Sequence, residues 1–432
     1  MTFNPKKPER FRSELLDQIL LFQEDNNDHQ IRGVIFFEKI LDRECIRKAI
    51  LLSIHAIPIL GCRYVEKNIR SYWERSPEVT TDGQAFTFMD ANNPGEAINK
   101  FLSQKTVESK GPQIIAAVIR NALKDTLCII MNHLVCDGAG FKEYLYFLSS
   151  IYTELIRNPN DSPEYLVHDD RSLGQIYQQL NVIKKLRLVL LKDNPVNKNG
   201  YHFPLSFEKN TKPLILTHKL TRERFNTLKE YGKEHKVTIN DIILAAYYRV
   251  LYKMMNIPIG QSLRIPCTVD LRRYHPNRKR VGFCNLSSLI ATDMASGEEE
   301  FEEMVEKINH IMNAKKNSFP GLSGFVELSL MYQLLPYAKF KKLIKNKLIY
   351  PMITMSNIGM IDSRKLQFHD ISISEAFITT ALKYPPYFQL AFSSFNNSIT
   401  FSVSLYGSER DRELINNFFV LLDKELGSGS KW

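Results

Sequence analysis

The stretch His133-Leu-Val-Cys-Asp137-Gly138 is the part of this sequence that points most directly to chemistry. The apolar run 127–131 precedes it and predicts a buried strand, and a helical pattern begins at Phe141. A strand that ends in a tight turn can hold an imidazole at the mouth of a cleft, with Asp137 folding back to fix the turn. Because histidine titrates near neutral pH, a small change of its pKa makes His133 a candidate general base.

The chain around this stretch predicts an α/β fold built from two similar parts. Strands and helices alternate in the first half, and a comparable set restarts in the second half with a strand at Pro213, where Thr221 and Asn240 are expected to cap two helices. We predict an N-terminal subdomain over residues 1–170, a crossover linker over 171–210, a C-terminal subdomain over 211–426 and a flexible tail over 427–432. The two subdomains are expected to face each other across a cleft.

The amino-acid composition, the net charge and the absence of certain motifs limit the classes of protein to which this sequence can belong. The 432 residues carry 57 Lys and Arg against 47 Asp and Glu, a net charge of +10, which favours an acidic partner or reflects solubility alone. The 6 cysteines and the histidines form no metal-binding spacing, and most of the histidines other than His133 are expected at the surface or in loops. No secretory signal, membrane-spanning run or nucleic-acid-binding motif is visible, so we expect a cytoplasmic protein with no transmembrane segment and no nucleic-acid partner.

Three further segments follow the first in a characteristic order. They are Cys267-Thr-Val-Asp-Leu-Arg-Arg273, Val281-Gly-Phe-Cys-Asn285 and Met355-Ser-Asn-Ile-Gly359. With these four segments the chain resembles the HxxxD acyltransferase superfamily, which includes chloramphenicol acetyltransferase, peptide-synthetase condensation domains, alcohol acetyltransferases and mycobacterial polyketide-associated acyltransferases. Asn132 occupies the position at which many condensation domains carry a second histidine. This difference argues against membership of the typical peptide-forming subset.

The resemblance implies a fold and a set of site residues. The fold would be two chloramphenicol-acetyltransferase-like subdomains arranged as a V, with His133 in a central tunnel as the general base. Asp137 would be a structural acid that pairs with Arg272, or alternatively with Arg273. Gly138 would leave room where the backbone approaches the tunnel, and its N–H would help to hold the oxyanion.

Three further residues are candidates for binding substrate. Ser356 and Asn357 would hydrogen-bond the reacting carbonyl or the acceptor, or else satisfy the backbone at a strand end. Asn285 matches a position of the same superfamily, although a role in loop structure is the favoured alternative.

The function implied is a free-standing acyltransferase of the acyl-thioester-dependent class. It would move an acyl group from coenzyme A or an acyl carrier protein to a small alcohol or amine, with the acyl-CoA or phosphopantetheine thioester as co-substrate and no metal or tightly bound cofactor. The alternative is a catalytically inactive condensation-like protein that binds an acyl carrier protein or an acyl chain. The basic run 272–280 would meet phosphates, and the basic stretches 183–192 and 339–347 would allow weak peripheral membrane contact, with solvated faces as the alternative for all three.

Overall fold

A computed structural model describes residues 10–76, 85–159, 170–181, 183, 185, 188, 200–208, 210–277, 282–316, 321–322, 324–347 and 350–427. Within these residues the chain forms a six-stranded sheet, a five-stranded sheet and a three-stranded sheet, together with eleven α-helices. The predicted mixed α/β class is confirmed. The V-shaped arrangement and the central tunnel stay predictions.

The five-stranded sheet carries the strand that leads to His133. Its strand order is β12-β2-β7-β6-β5, with β5 parallel to β6 and the other neighbours antiparallel. Two helices, α2 and α4, cover one face, and α3 covers the other. These elements are β2 (Gln30–Phe37), α2 (Arg43–Ala56), β5 (Phe86–Asp90), α3 (Pro94–Leu102), β6 (Ile114–Asn121), β7 (Lys124–Asn132), α4 (Gly138–Arg157) and β12 (Ile373–Thr379).

The six-stranded sheet forms most of the second half. Its order is β10-β9-β11-β13-β14-β8, and β11 runs parallel to both β9 and β13. Helices α6, α7, α8 and α11 pack with this sheet around the largest apolar core. These elements are β8 (Lys212–Leu220), α6 (Arg222–Glu234), α7 (Ile239–Met254), β9 (Ser262–Asp270), β10 (Ser287–Ala295), α8 (Phe301–Lys316), β11 (Ile353–Met360), β13 (Phe388–Phe395), β14 (Ser398–Gly407) and α11 (Glu409–Gly427).

Smaller elements surround the two main sheets. The three-stranded sheet has the order β1-β4-β3, and two short 3₁₀ helices span Pro58–Gly61 and Leu271–Tyr274. The remaining elements are β1 (Arg10–Arg12), α1 (Leu15–Leu21), β3 (Cys62–Val65), β4 (Tyr72–Arg75), α5 (Gly174–Tyr177), α9 (Phe325–Leu334) and α10 (Tyr337–Lys347).

The second half of the chain contributes a strand and a helix to the first sheet and its core. Strand β12 comes from the second half, yet it pairs antiparallel with β2 in the first sheet. Helix α10 likewise places Phe340 and Ile344 in the same core as Ile50 and Leu148 of the first half. The predicted subdomain boundaries did not include this contribution of the second half to the first sheet. Most of residues 182–199 in the predicted linker, and residues 428–432 of the predicted tail, lie outside the described residues.

Side-chain caps determine where the helices begin. The first residue of α4 and the capping residue of α7 differ from the predictions. Helix α4 begins at Gly138 rather than Phe141, because the Asp137 carboxylate accepts the Gly140 N–H at 2.9 Å. Helix α7 is capped by Thr238 rather than by Asn240. The Thr238 hydroxyl accepts the Asp241 N–H at 3.2 Å and the Asp241 carboxylate accepts the Thr238 N–H at 2.9 Å, which is a complete capping box.

One buried arginine ties three segments together near the end of β7. The Arg171 guanidinium donates to the Asp17 carboxylate at 2.7 Å, to the Val135 carbonyl at 2.6 Å and to the Phe283 carbonyl at 2.8 Å. Arg171 and Asp17 are both buried, so each charge depends on the other for compensation. This contact fixes the turn after β7 against α1 and against the loop that leads into β10.

Replacing Arg171 by methionine should strongly destabilise the protein. The substitution would leave the Asp17 carboxylate buried without its partner, and removing one partner of such a pair costs about 3–5 kcal/mol. Urea unfolding of wild type and Arg171→Met measures this loss. Arg364→Met, which removes an exposed arginine paired with Asp362, is the control and should leave the midpoint almost unchanged. Equal midpoints for the two variants would contradict the assigned role of Arg171.

Candidate active site

His133 lies directly after β7, at the end of the five-stranded sheet. Its N–H donates to the His29 carbonyl at 2.7 Å, and the Asn132 side chain accepts the Leu134 N–H at 3.0 Å, which closes the turn. The residue is partly exposed, whereas its Nδ1 is buried and has no hydrogen-bond partner among the described residues. This arrangement leaves Nε2 as the nitrogen that can meet a substrate.

Burial controls the protonation of His133. It lowers the pKa of this imidazole below the usual histidine value of 6.5, and the His133 carbonyl, Asp137 and Asn285 oppose the effect only in part. The neutral imidazole is therefore the dominant form at neutral pH. A neutral imidazole is the form that accepts a proton from a hydroxyl or an amine.

The Asp137 carboxylate is fully engaged away from His133. The Nη1 of Arg272 donates to both of its oxygens at 2.9 and 2.8 Å, the Gly140 N–H to Oδ1 at 2.9 Å and the Leu286 N–H to Oδ2 at 2.7 Å. Burial alone would raise the pKa of Asp137, but Arg272 and these hydrogen bonds outweigh it and hold the pKa below its usual value. Asp137 is therefore an ionised structural group that joins the turn to the second half of the chain.

Of the two candidate arginines, Arg272 is the one that meets Asp137. It lies in the 3₁₀ helix after β9, and its Nη2 also donates to the Cys284 carbonyl at 2.8 Å. Arg273 is exposed, and its guanidinium lies 5.8 Å from the Tyr274 ring centroid. The predicted alternative pairing with Arg273 is not the one that the structure forms.

Gly138 occupies a tight position at the start of α4. A Cβ at this residue would lie 3.3 Å from Cγ2 of Ile358 on β11, closer than most side chains tolerate. The neighbour is thus a side chain of the second sheet, and the predicted approach of the backbone to a tunnel stays a prediction. The role of the Gly138 N–H in holding an oxyanion stays a prediction.

Ser356 and Asn357 lie on β11 but differ in their surroundings. The Ser356 hydroxyl is buried and lies 3.3 Å from the Thr268 hydroxyl on β9. The Asn357 side chain is exposed, accepts the Gly359 N–H at 2.9 Å and lies 3.4 Å from the Asn240 side chain. Asn357 thus satisfies backbone at the strand end, which was the alternative interpretation, while the substrate roles of both residues stay predictions.

Asn285 combines a structural bond with an unused acceptor. Its Nδ2 donates to the Leu134 carbonyl at 3.0 Å and to the Asp17 carboxylate at 3.2 Å, which holds the loop against the turn. Its Oδ1 is buried and has no hydrogen-bond partner among the described residues. Asn285 is also close enough to raise the pKa of His133, so its amide faces the imidazole environment.

Two residues near His133, His29 and Lys383, were not among the predicted site residues. His29 does lie in a loop, as expected, but the loop is buried and the residue is only 6% exposed. Lys383, from the second half, is 5% exposed, and both His29 and Lys383 act electrostatically on His133 or are acted on by it. No motif marked these residues, because their burial and proximity arise from contacts between distant segments.

The described part of the chain bears on possible metal sites, on membrane spans and on the basic stretches. It contains no group of three or more His, Cys, Asp or Glu residues placed to hold a metal, and no helix there has the length and apolarity needed to cross a bilayer. In the basic stretch 339–347, Lys341 pairs with Glu66 and Lys345 with Glu24. Residues 278–280 and most of the stretch 183–192 lie outside the described residues.

The difference between the two adjacent arginines gives a direct test of the Asp137 pair. Arg272→Met should lower the free energy of unfolding by about 3–5 kcal/mol, because it leaves the Asp137 carboxylate buried and uncompensated. Arg273→Met is the matched control, since its side chain is exposed, and should change the stability by less than about 1 kcal/mol. Chemical denaturation followed by circular dichroism measures both values. A larger loss for Arg273→Met would show that the pair is assigned to the wrong arginine.

Comparison with known proteins gives matches to solved structures. No model of a protein family matches the sequence, and no curated protein matches it. The chain is similar to polyketide synthase associated protein 5 from Mycobacterium tuberculosis, with a TM-score of 0.67, 12% identity and coverage of 97% of this chain and 99% of that chain.

Two further similar structures extend the comparison. The first condensation domain of the CDA synthetase has a TM-score of 0.67 and 12% identity, covering 98% of this chain and 97% of that chain. The TRI3 trichothecene 15-O-acetyltransferase from Fusarium sporotrichioides has a TM-score of 0.67 and 13% identity, covering 98% of this chain and 96% of that chain. The chain therefore has the fold that condensation domains share with this acetyltransferase, and the predicted resemblance to the HxxxD acyltransferases is confirmed at the level of the fold.

Proposed function

We propose that this chain is an acyltransferase that moves an acyl group from a thioester to an alcohol or an amine. The observation that carries the proposal is the state of His133: a partly exposed imidazole with a lowered pKa, next to an acid that is bound elsewhere. The shared fold with condensation domains and an acetyltransferase supports the same class of chemistry.

The reaction needs only a base, a nucleophile and a leaving thiol. In the proposed sequence Nε2 of His133 takes the proton from the acceptor as its oxygen or nitrogen attacks the thioester carbonyl. A tetrahedral oxyanion forms, the C–S bond breaks, and the protonated imidazole returns the proton to the leaving thiolate. Gly138 is the first residue of α4, so its amide lies at the positive end of the helix dipole, which supports a role in stabilising the oxyanion.

The donor is proposed to be an acyl-CoA or an acyl carrier protein. The net charge of +10 suits a donor that carries phosphate groups. One similar structure is described as a polyketide synthase associated protein and another as a cyclization-docking bidomain, which supports testing a carrier-protein donor. The acceptor is proposed to be a small molecule.

Loss of the imidazole should abolish most of the activity. His133→Ala should reduce thiol release from acyl-CoA, in the presence of small alcohols and amines, by about 10²-fold or more, because the general base is removed. His202→Ala, which removes an exposed histidine, is the control and should retain the wild-type rate. Equal rates for wild type and His133→Ala would end the proposed role of His133. Tight binding of a carrier protein without release from any thioester would instead fit the binding-protein alternative.

The lowered pKa of His133 predicts the pH dependence of the reaction. The base acts in its neutral form, which prevails above its pKa, and that pKa lies below the ordinary value of 6.5. The kcat/KM for acyl transfer should therefore remain above half its maximal value at pH 6.5 and fall to half only at lower pH. Initial rates measured as a function of pH test this expectation. A fall to half the maximal kcat/KM at pH 7 or above would contradict the assigned environment of His133.

A further inference from the structure

Helices α9 and α10 and the loop between β3 and β4 meet at one place on the surface. The Tyr337 N–H, at the start of α10, donates to the Ile69 carbonyl at 3.0 Å. The Arg70 guanidinium donates to the carbonyls of Tyr332 and Leu335 at 2.8 and 3.1 Å, which satisfies the C-terminal end of α9. These bonds hold the loop beside the turn that joins the two helices.

Three aliphatic side chains project into solvent around this turn and form an apolar patch. Leu330 and Leu334 are 57% and 72% exposed and lie one turn apart on α9, and Ile69 is 71% exposed. The only charged residue of α9, Glu327, lies about 10 Å before Leu334 along the helix, at the end away from α10. Single exposed aliphatic residues need no explanation, whereas an apolar group bordered by charged residues is typical of an interaction site.

Lysines border the apolar patch on two sides. Lys339 and Lys342 are exposed on α10, and Lys67 is exposed in the loop that carries Ile69. The neighbouring Lys341 of α10 is ion-paired with a glutamate. By contrast, Lys67, Lys339 and Lys342 have no carboxylate partner in the part of the chain that the structure describes. Their charge is therefore available to an anionic partner.

We propose that the apolar patch and the lysines Lys67, Lys339 and Lys342 form a surface that binds an anionic lipid membrane. This surface goes beyond the acyl-transfer reaction and does not depend on it. The aliphatic side chains would enter the boundary between the headgroups and the acyl chains, while the lysines stay at the level of the lipid phosphates. Burial of apolar area and attraction to anionic headgroups are the two contributions that drive such binding.

The residue types of this surface favour a membrane over an acidic protein partner. Tryptophan, tyrosine and arginine dominate the binding energy of protein interfaces, whereas leucine is under-represented among the dominant residues and lysine is depleted from interfaces. Here the projecting side chains are leucine and isoleucine, and the cations that border them are lysines. Aliphatic side chains beside lysines are typical of segments that lie in the membrane interface.

Vesicle binding by the whole chain tests the proposal. Co-sedimentation is measured with vesicles of phosphatidylcholine alone and with vesicles of phosphatidylcholine and phosphatidylserine in equal amounts. Wild type should bind the mixed vesicles about 10-fold more tightly or better, because the lysines meet the serine headgroups. Added salt should weaken this binding, since it screens charges at the surface.

Two double variants remove the two parts of the surface separately. Lys339→Gln with Lys342→Gln should weaken binding to the mixed vesicles about 10-fold or more, because two cations leave the contact. Leu330→Gln with Leu334→Gln should also weaken it about 10-fold or more, because the inserted apolar area is lost. All four side chains are exposed, so thermal unfolding followed by circular dichroism should match wild type.

Matched control variants make the same changes elsewhere on the surface. Lys233→Gln with Lys253→Gln removes two exposed lysines, from α6 and α7. Ile259→Gln with Val420→Gln removes two aliphatic side chains that are exposed to a similar extent as the patch. Both controls should bind the mixed vesicles like wild type. Binding that falls equally in the patch variants and in their controls would indicate adsorption through general surface properties and would overturn the proposal.

Two other outcomes would also overturn the membrane surface. One is equal binding of wild type to both kinds of vesicle, or no binding to either. The other is binding of an acidic acyl carrier protein that is lost in the lysine double variant while the mixed vesicles are not bound, which would assign the surface to a protein partner. Neither outcome bears on thiol release by wild type and His133→Ala, so the acyltransferase function is tested independently.

Discussion

The carboxylate of Asp137 is the contact on which the candidate site depends. It accepts hydrogen bonds from the Arg272 guanidinium and from the backbone amides of Gly140 and Leu286, so one buried charge joins the turn after β7, the start of α4 and the loop before β10. Each of these groups also stabilises the ionised form of Asp137. Because the carboxylate is buried, the pair with Arg272 must form for the turn to hold this shape, and the position of His133 follows from that turn.

The hydrogen-bond partners of Asp137 affect the protonation of the His133 imidazole. In a Ser-His-Asp triad the acid hydrogen-bonds the histidine Nδ1 and stabilises the imidazolium. Here Asp137 serves the backbone and Arg272, while Nδ1 of His133 and Oδ1 of Asn285 are both buried and unpaired within the described residues. The protonation of the base is consequently governed mainly by burial, which favours the neutral imidazole.

The local elements around His133 could be predicted from sequence because their signals are local. The apolar run 127–131 and the glycine-containing turn predict β7 and the presence of α4 from periodicity and turn chemistry alone, whereas the Asp137 cap places the first residue of the helix at Gly138 rather than at Phe141. The choice between Arg272 and Arg273 could not be made this way, since both follow β9 directly. It is decided by the 3₁₀ turn, in which the Asp270 carboxylate accepts the Arg272 N–H at 2.9 Å. Asn240 and Thr238 present the same difficulty, because both are good capping residues and only the reciprocal bond with Asp241 selects Thr238.

The position of Lys383 was beyond prediction for a topological reason. Strand β12 pairs with β2 with Thr379 opposite Arg32, and β2 pairs with β7 with Gln30 opposite Asn132. The chain that leaves β12 therefore continues past the start of β2.

That path brings the segment after β12 to the same end of the sheet as His133. There the segment bridges Asn27 through Lys383 before β13 returns to the second sheet. The backbone position of Lys383 relative to His133 is thus set by the register of two strand pairs. A shift of β12 by one residue would exchange the faces of its side chains and move the segment that follows it. Strand β12 of the second half accordingly brings Lys383 to the end of the first sheet where His133 lies.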